Sequence, residues 1–421
     1  MISSSNSMKA EIITIGDEIL LGQIVDSNSA WIGQQLNALN ISVNQITSIS
    51  DVPEAIWNAL EQASIRADVI IVTGGLGPTN DDVTKQSISK YFGMPLVRNQ
   101  AVLNHVQGLF STVAPHKDMP EVNKSQADVI QGSDVLFNDV GTAPGMWISK
   151  LGKIYVFLPG VPFEMKFLMS NRVLPKLKEI NSQLIIEHRH IITIGLGESF
   201  LAETIKDIEN SLPKNIKLAY LPKLALVRLR LTQIGRSEQG IDFWHNKLIE
   251  RLGTHVVATE DVTIEEAIVK AFTKDALKLA VAESCTGGSI ASGITAISGA
   301  SGMFDCGIVA YHNTIKQQFL GVKEQTLKDF GAVSEQTVVE MAEGIKRISN
   351  ADYAIATSGI AGPSGGLPNK PVGTVWVAVS GKFETITKLF HFHNDRLINI
   401  ERTVANSFAL LWNMYIKDKG K

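Results

Sequence analysis

Cysteine is almost missing from this chain: Cys285 and Cys306 are the two present in 421 residues, and neither stands in a CxxC pair. Neither a disulfide framework nor a thiolate zinc site is therefore expected, and a reducing compartment fits. An excess of charge of one sign is also lacking. The 39 basic side chains nearly balance the 42 acidic ones, leaving a formal charge of -3, so no general attraction to nucleic-acid backbones or anionic lipid is expected and small ligands become the expected partners. No apolar run is long enough to span a bilayer, and the opening MISSSNSMKA has neither the basic region nor the apolar stretch of a signal peptide. A cytoplasmic location is the expectation. Met1 to Met8 read as a disordered leader, because a β-type run begins only at Ala10.

What is present is an ordinary core-forming composition, 44% hydrophobic and 19% charged. At a soft prior of roughly 150 residues per domain, this length suggests about three units. From Ala10 to about Pro175, the apolar runs AEIITIG, ISVNQITSI, ADVIIVTGG and KIYVFLPG alternate with helical spacings such as Ile32, Leu36, Leu39 and Ile56, Leu60, Ala63. That pattern predicts a Rossmann-like parallel sheet layered with helices, with Pro53 and Pro162 at helix starts. Between 179 and 258 a small α+β unit is expected. In KLALVRLRL, Leu226, Arg228 and Arg230 alternate with Val227, Leu229 and Leu231, which predicts an antiparallel sheet with one wet face. A helix led by Thr263 then opens a second α/β unit over 259–421, closed by a helix from about Asn394 to Tyr415.

Two glycine-rich segments carry the candidate chemistry. In DVIIVTGGLGPTNDDVTK a strand runs through Gly74, Gly75 and Gly77 toward a helix expected near Thr79. Glycines let backbone N–H groups approach an anion, and a helix N-terminus adds partial positive charge. Asp81 and Asp82 either cap that helix or hold a divalent metal against a phosphate. Asp17 and Glu18 end the first strand, where open α/β sheets bind ligands, so metal-assisted cleavage of a phosphoanhydride is one chemistry this set could support. GTAPGM and LPGVPFEM are candidate pocket walls.

The second segment, KLAVAESCTGGSIASGI, again runs from strand through Gly287 and Gly288 to a helix, with hydroxyls at Ser284, Thr286 and Ser289 around Cys285. Downstream lie Ser301, Tyr311, Lys316 and the glycine loop containing Gly362 and Gly365. Amide hydrolysis needs a nucleophile, a base and oxyanion donors, and a lysine serves as base where burial lowers its pKa. Lys316 is the candidate base. Cys285 ranks below the serines as nucleophile because no orienting Asn or Asp is placed, and His312 is expected on a strand pointing away from Tyr311. The pairs His391/His393 and His188/His190 lack a third ligand and read as structural.

Taken in order, GDEILLG, DSNSAWI, TGGLGPTNDD, GTAPG, LPGVPFEM, AESCTGG, GAS, YHNTIK, SGIAGPSGG and KPVGTVW resemble the CinA family over nearly the whole chain. The resemblance implies a molybdopterin-binding-like domain over 8–178, associated with metal-dependent ADP-ribose pyrophosphatase activity, and a KH-like domain over 179–258. Over 259–421 it implies a nicotinamide-nucleotide amidase, which converts nicotinamide mononucleotide to nicotinate mononucleotide and ammonia without a cofactor. It further implies Ser301, Tyr311 and Lys316 as catalytic residues, Ser284 and Thr286 lining the loop, and Arg396 binding substrate, together with a homodimer. Asp17, Gly74, Gly75, Thr79, Asp81 and Asp82 match the N-terminal motif. His312, Thr314, Ile315 and Ser364 depart from the family's usual residues. The middle domain lacks an evident GxxG clamp, so Lys214, Lys217, Lys223, Arg228 and Arg230 are expected to form a solvated face rather than an RNA site. The rival reading is a non-catalytic binding or scaffold protein for DNA uptake or pterin ligands.

Overall fold

The computed structural model describes residues 8–77, 83–113, 119–181, 186–393 and 395–420. The chain divides after Ile186 into two compact units.

In the first unit the strands are β1 (Lys9–Ile15), β2 (Ser42–Ile49), β3 (Val69–Thr73), the short β4 (Leu96–Arg98), β5 (Asp128–Ile130) and β6 (Asp134–Leu136), then β7 (Gly145–Lys150) and β8 (Lys153–Leu158). The main sheet has the order β2-β1-β3-β8-β7-β6. Its first four strands are parallel, and β7 and β6 are antiparallel. The side-chain period of two divides the buried strand residues between layers. Ile13 and Ile15 pack with Ile56, Leu60 and Ala63, whereas Ala10 and Ile12 pack with Ile32, Leu36, Met165 and Leu168 on the other face. The expected three-layer form is observed, with Pro53 and Pro162 in the first turns of helices Pro53–Arg66 and Pro162–Leu168. Beyond the glycines of the first segment the described helix begins at Thr84. Thr79, Asp81 and Asp82 lie outside the described residues, as does the expected leader up to Ser7.

The second unit holds two sheets. The first contains β9 (Ile186–Ile194), β10 (Ile216–Lys223), β11 (Leu226–Ile234) and β12 (Val256–Ala258) in the order β10-β11-β9-β12. β10 and β11 are antiparallel. Val227, Leu229 and Leu231 are buried with Leu201, Ile205, Trp244 and Leu248 of helices Glu198–Asn210 and Gly240–Leu252. The opposite face is not wet. Ile192, Ile194 and Val257 enter the core of the C-terminal domain, with Leu226 packed against it, and Arg228 bonds Asp261 and the Val262 carbonyl. The Arg228 and Arg230 face is therefore a joint between domains. Alternation identifies two faces but cannot say what a later segment lays on the second.

The last sheet runs β14 (Phe304–Val309), β13 (Leu279–Glu283), β15 (Tyr353–Gly359), β16 (Thr374–Ser380), β17 (Thr385–His391). β13 is parallel to β14 and β15, and the remaining pairs are antiparallel. Leu279 and Val281 face helices Ile264–Lys274 and Arg396–Lys419. Ala280, Ala282, Ala354, Ala356 and Ala378 face Val338, Met341 and Ile345 of helix Glu335–Ser349, and these small residues let that helix lie close to the sheet. Thr263 caps its helix by accepting from the Glu266 N–H. β17 ends at His391, so His393 lies beyond the strand. No described helix is long and apolar enough to cross a membrane.

Candidate functional site

Both α/β sheets have a topological switch point. The chain leaves β1 for β2 on one side and returns to β3 on the other; it likewise leaves β13 for β14 and returns to β15. At such points the loops after two adjacent strands diverge and open a crevice at the carboxyl edge.

At the first crevice, a cleft of about 640 Å³ is lined by Gly16, Glu18, Asp51, Gly74, Gly75 and Glu164, among others. Thr142, Ala143, Pro159 and Gly160 are further walls, as expected of the two Gly/Pro loops. A side chain at Gly74 would strike the Ile15 carbonyl, and one at Gly75 would strike Thr84 Oγ1, so both glycines are required by strand-end packing. Burial pushes the Glu164 carboxyl up, while the Asn138 amide donates to it at 2.7 Å. Of the pair after β1, Glu18 faces the cleft. Asp17 does not line it; its backbone N–H donates to Asp51 at 3.2 Å. Asp51 and Glu164 were missed by reading the sequence, although Asp51 follows β2 much as Asp17 follows β1. Among the described residues no three acidic, histidine or cysteine side chains converge closely enough to hold a metal. Glu18, Asp51 and Glu164 bring three carboxylates to the lining of this cleft.

At the second crevice the structure joins most of the expected residues. Lys316, 1% exposed, sits on helix Asn313–Leu320. Its Nζ donates to the Ala310 carbonyl at 2.6 Å, the Ser284 hydroxyl at 3.2 Å and the Tyr311 carbonyl at 3.3 Å. Desolvation holds its pKa below the ordinary lysine value. Tyr311 is exposed, and its hydroxyl accepts from Arg396 at 3.1 Å. Arg396 also donates to the Gly362 carbonyl at 2.9 Å, so Ser284, Lys316, Tyr311, Arg396 and Gly362 form one continuous chain. Gly365 lies on the same loop after β15 and has positive φ.

Four expectations meet a different local geometry within this chain. Ser301 lies on the one-turn helix Ala300–Gly302 just before β14, beside the Met303 carbonyl that accepts from Leu279 at the start of β13. Ala310, which donates to the Glu283 carbonyl, marks the other end, and four residue steps separate these ends by roughly 13 Å. Within one chain Lys316 is the partner of Ser284, not of Ser301, because a β-α-β crossover starts and ends at opposite sheet edges. Gly287 and Gly288 do not open an empty anion cradle. The buried Glu283 carboxylate accepts the N–H groups of Gly288, Ile290 and Ala291 at 3.0, 3.1 and 2.8 Å, filling the helix start from inside. Thr286 is buried, 2.8 Å from Thr357 Oγ1, and links two strand ends instead of lining the crevice. His312 caps a helix rather than lying on a strand, its Nδ1 accepting from the Thr314 N–H.

Cys285 is buried, and burial pushes its thiol up to about 12, so it holds its proton at neutral pH and is no rival nucleophile.

Three family models match the chain: the probable molybdopterin binding domain over 11–179, the damage-inducible protein CinA KH domain over 188–258, and the CinA C-terminal domain over 261–415. The mixed α/β architecture accordingly has a molybdopterin-binding-like, a KH-like and a C-terminal α/β domain. A CinA-like protein from Flavobacterium psychrophilum is 41% identical over 98% of this chain and 100% of its own length. A putative competence-damage inducible protein from Caldicellulosiruptor bescii is 41% identical over 96% of this chain and 98% of its own. Among solved structures, the competence/damage inducible protein from Agrobacterium tumefaciens is 38% identical, covering 36% of this chain and 93% of that one with a TM-score of 0.36. From its full-length relatives and its three matching domains, the chain belongs to the CinA family.

Proposed function

We propose that the C-terminal crevice is an amidohydrolase site that converts nicotinamide mononucleotide and water to nicotinate mononucleotide and ammonia. The observation that carries this reading is the buried Lys316 amine beside the half-buried Ser284 hydroxyl. A neutral amine has two N–H bonds and one lone pair. The Ala310 and Tyr311 carbonyls take the two donors, which directs the lone pair toward Ser284. Lys316 then removes the hydroxyl proton as Ser284 Oγ bonds to the amide carbon. The resulting ammonium returns that proton to the departing nitrogen, releasing ammonia and leaving an acyl ester on Ser284. Water, deprotonated by Lys316, cleaves the ester to the carboxylate and restores the serine. Arg396 and the Gly362 loop supply the cation and backbone groups for the substrate's phosphate.

The test is ammonia release from nicotinamide mononucleotide by the full chain without added metal. Ser284→Ala and Lys316→Ala should each abolish it; turnover unchanged in either variant overturns the assignment.

For the N-terminal cleft the corresponding reading is a metal-dependent ADP-ribose pyrophosphatase. A divalent cation held by Asp81 and Asp82, with a cleft carboxylate as a further oxygen donor, would polarise the phosphoanhydride. Glu164, whose carboxylate accepts from Asn138, would orient the attacking water. A cytoplasmic homodimer acting on small nucleotides, without membrane or nucleic-acid partners, completes the proposal.

A further inference from the structure

The joint between the KH-like sheet and the C-terminal domain encloses a second cavity of about 640 Å³. Ile192 and Leu226 wall it from the KH-like side, Ile264, Ile400 and Val404 from the other. None of Ser284, Tyr311, Lys316 or Arg396 lines it. Its charges are unequally satisfied. Arg228 is neutralised by Asp261, whereas the exposed Lys223 and Glu401 side chains and the half-buried Glu265 carboxylate have no hydrogen-bond or ion-pair partner among the described residues. Apolar walls with two uncommitted carboxylates and one uncommitted ammonium suit a molecule with an apolar body, a cationic centre and an anionic group. Ordinary nucleotides carry only the anion; a pyridinium nucleotide carries a ring cation as well.

We propose that this cavity binds an oxidised pyridine nucleotide as an effector of the catalytic edge, with the ring facing Glu265 and Glu401 and a phosphate facing Lys223. The choice of ligand class rests on the function proposed for that edge. Two helices connect the sites. Ser289, at the cavity, begins helix Ser289–Thr295, whose preceding loop carries Ser284. Glu401 lies five residues beyond Arg396 on helix Arg396–Lys419, about 7.5 Å along its axis. A ligand that shifts either helix shifts the serine or the arginine.

The oxidised and reduced nicotinamide dinucleotides are the probes, because they differ in the ring charge. Calorimetric titration of the full chain should show the oxidised form binding at least about tenfold more tightly, the factor that roughly 1.4 kcal/mol provides. Glu401→Gln should reduce that preference to less than about threefold, Lys223→Ala should weaken both forms alike, and Val404→Phe should remove binding. Lys316→Ala should leave binding intact. Equal affinity for the two forms, a preference insensitive to Glu401→Gln, or no saturable binding overturns the proposal. Binding without ammonia release removes the reading of the catalytic edge and keeps the cavity; ammonia release without binding does the reverse.

Discussion

The Lys316 amine stands 3.2 Å from the Ser284 hydroxyl, with its remaining contacts made to backbone carbonyls. No carboxylate bonds it, so desolvation is left to depress its pKa. The proposed deamidation needs the neutral amine. Deamidation should therefore rise with pH as Lys316 loses its proton and level off above its lowered pKa, with the inflection below the ordinary 10.5. A kcat/KM profile over pH 5–10 checks this; a plateau already complete at pH 5 or an inflection at the ordinary lysine value contradicts it.

Ser284→Ala should lower kcat by at least about a thousandfold, the scale on which removal of a nucleophile acts. Ser301→Ala should leave kcat within about twofold, because Ser301 occupies the other end of the sheet. Single-turnover measurements on both variants decide between the serines, and a large loss in Ser301→Ala would mean that a second copy brings its serine to this edge.

Arg396→Ala should raise KM for nicotinamide mononucleotide by about tenfold or more while kcat changes less, the signature of lost ground-state binding. Hydrolysis of free nicotinamide, which has no phosphate, should be insensitive. Equal effects on the two amides would move Arg396 away from the phosphate.

The Glu283 carboxylate satisfies three N–H groups that a helix start otherwise leaves open. Glu283→Ala should cost about 2–3 kcal/mol, above a single cap because several buried donors are orphaned together. Chemical denaturation measures the loss, and a change under about 0.5 kcal/mol, the range of a neutral surface substitution, contradicts the cap.

Chelation should abolish release of AMP from ADP-ribose and leave ammonia release untouched. Glu164→Gln should impair the first activity alone. Product analysis by chromatography separates the two activities, and ADP-ribose cleavage that survives chelation removes the metal from the N-terminal reading.

The sheet layers were legible because they rest on short-range rules: alternation placed Val227, Leu229 and Leu231 inward, and the prolines and Thr263 marked helix starts. Lys316 was legible as a candidate base, and what the structure adds is its burial and its contact with Ser284. The family resemblance assigns Ser301 and Lys316 to one site, yet within one chain the intervening strand carries them to opposite edges. Glu283 was hidden for a different reason. Its side chain turns back under the glycine loop to the N–H groups of Gly288, Ile290 and Ala291, a turn that apolar periodicity does not record. Asp51, Glu164 and Glu18 come to one cleft only through the sheet, across segments distant in sequence.

The internal carboxylate beneath the Ser284 loop also bears on how the substrate is received. A glycine-rich turn that waits for an anion is ordered only when the anion arrives, and fixing its backbone then costs about 1–2 kcal/mol per residue. Here the tether of Gly288, Ile290 and Ala291 to Glu283 sets that order during folding. Binding energy is thus left undiminished for orienting a bound ligand, and the loop that carries Ser284 keeps its shape whether or not a ligand is present.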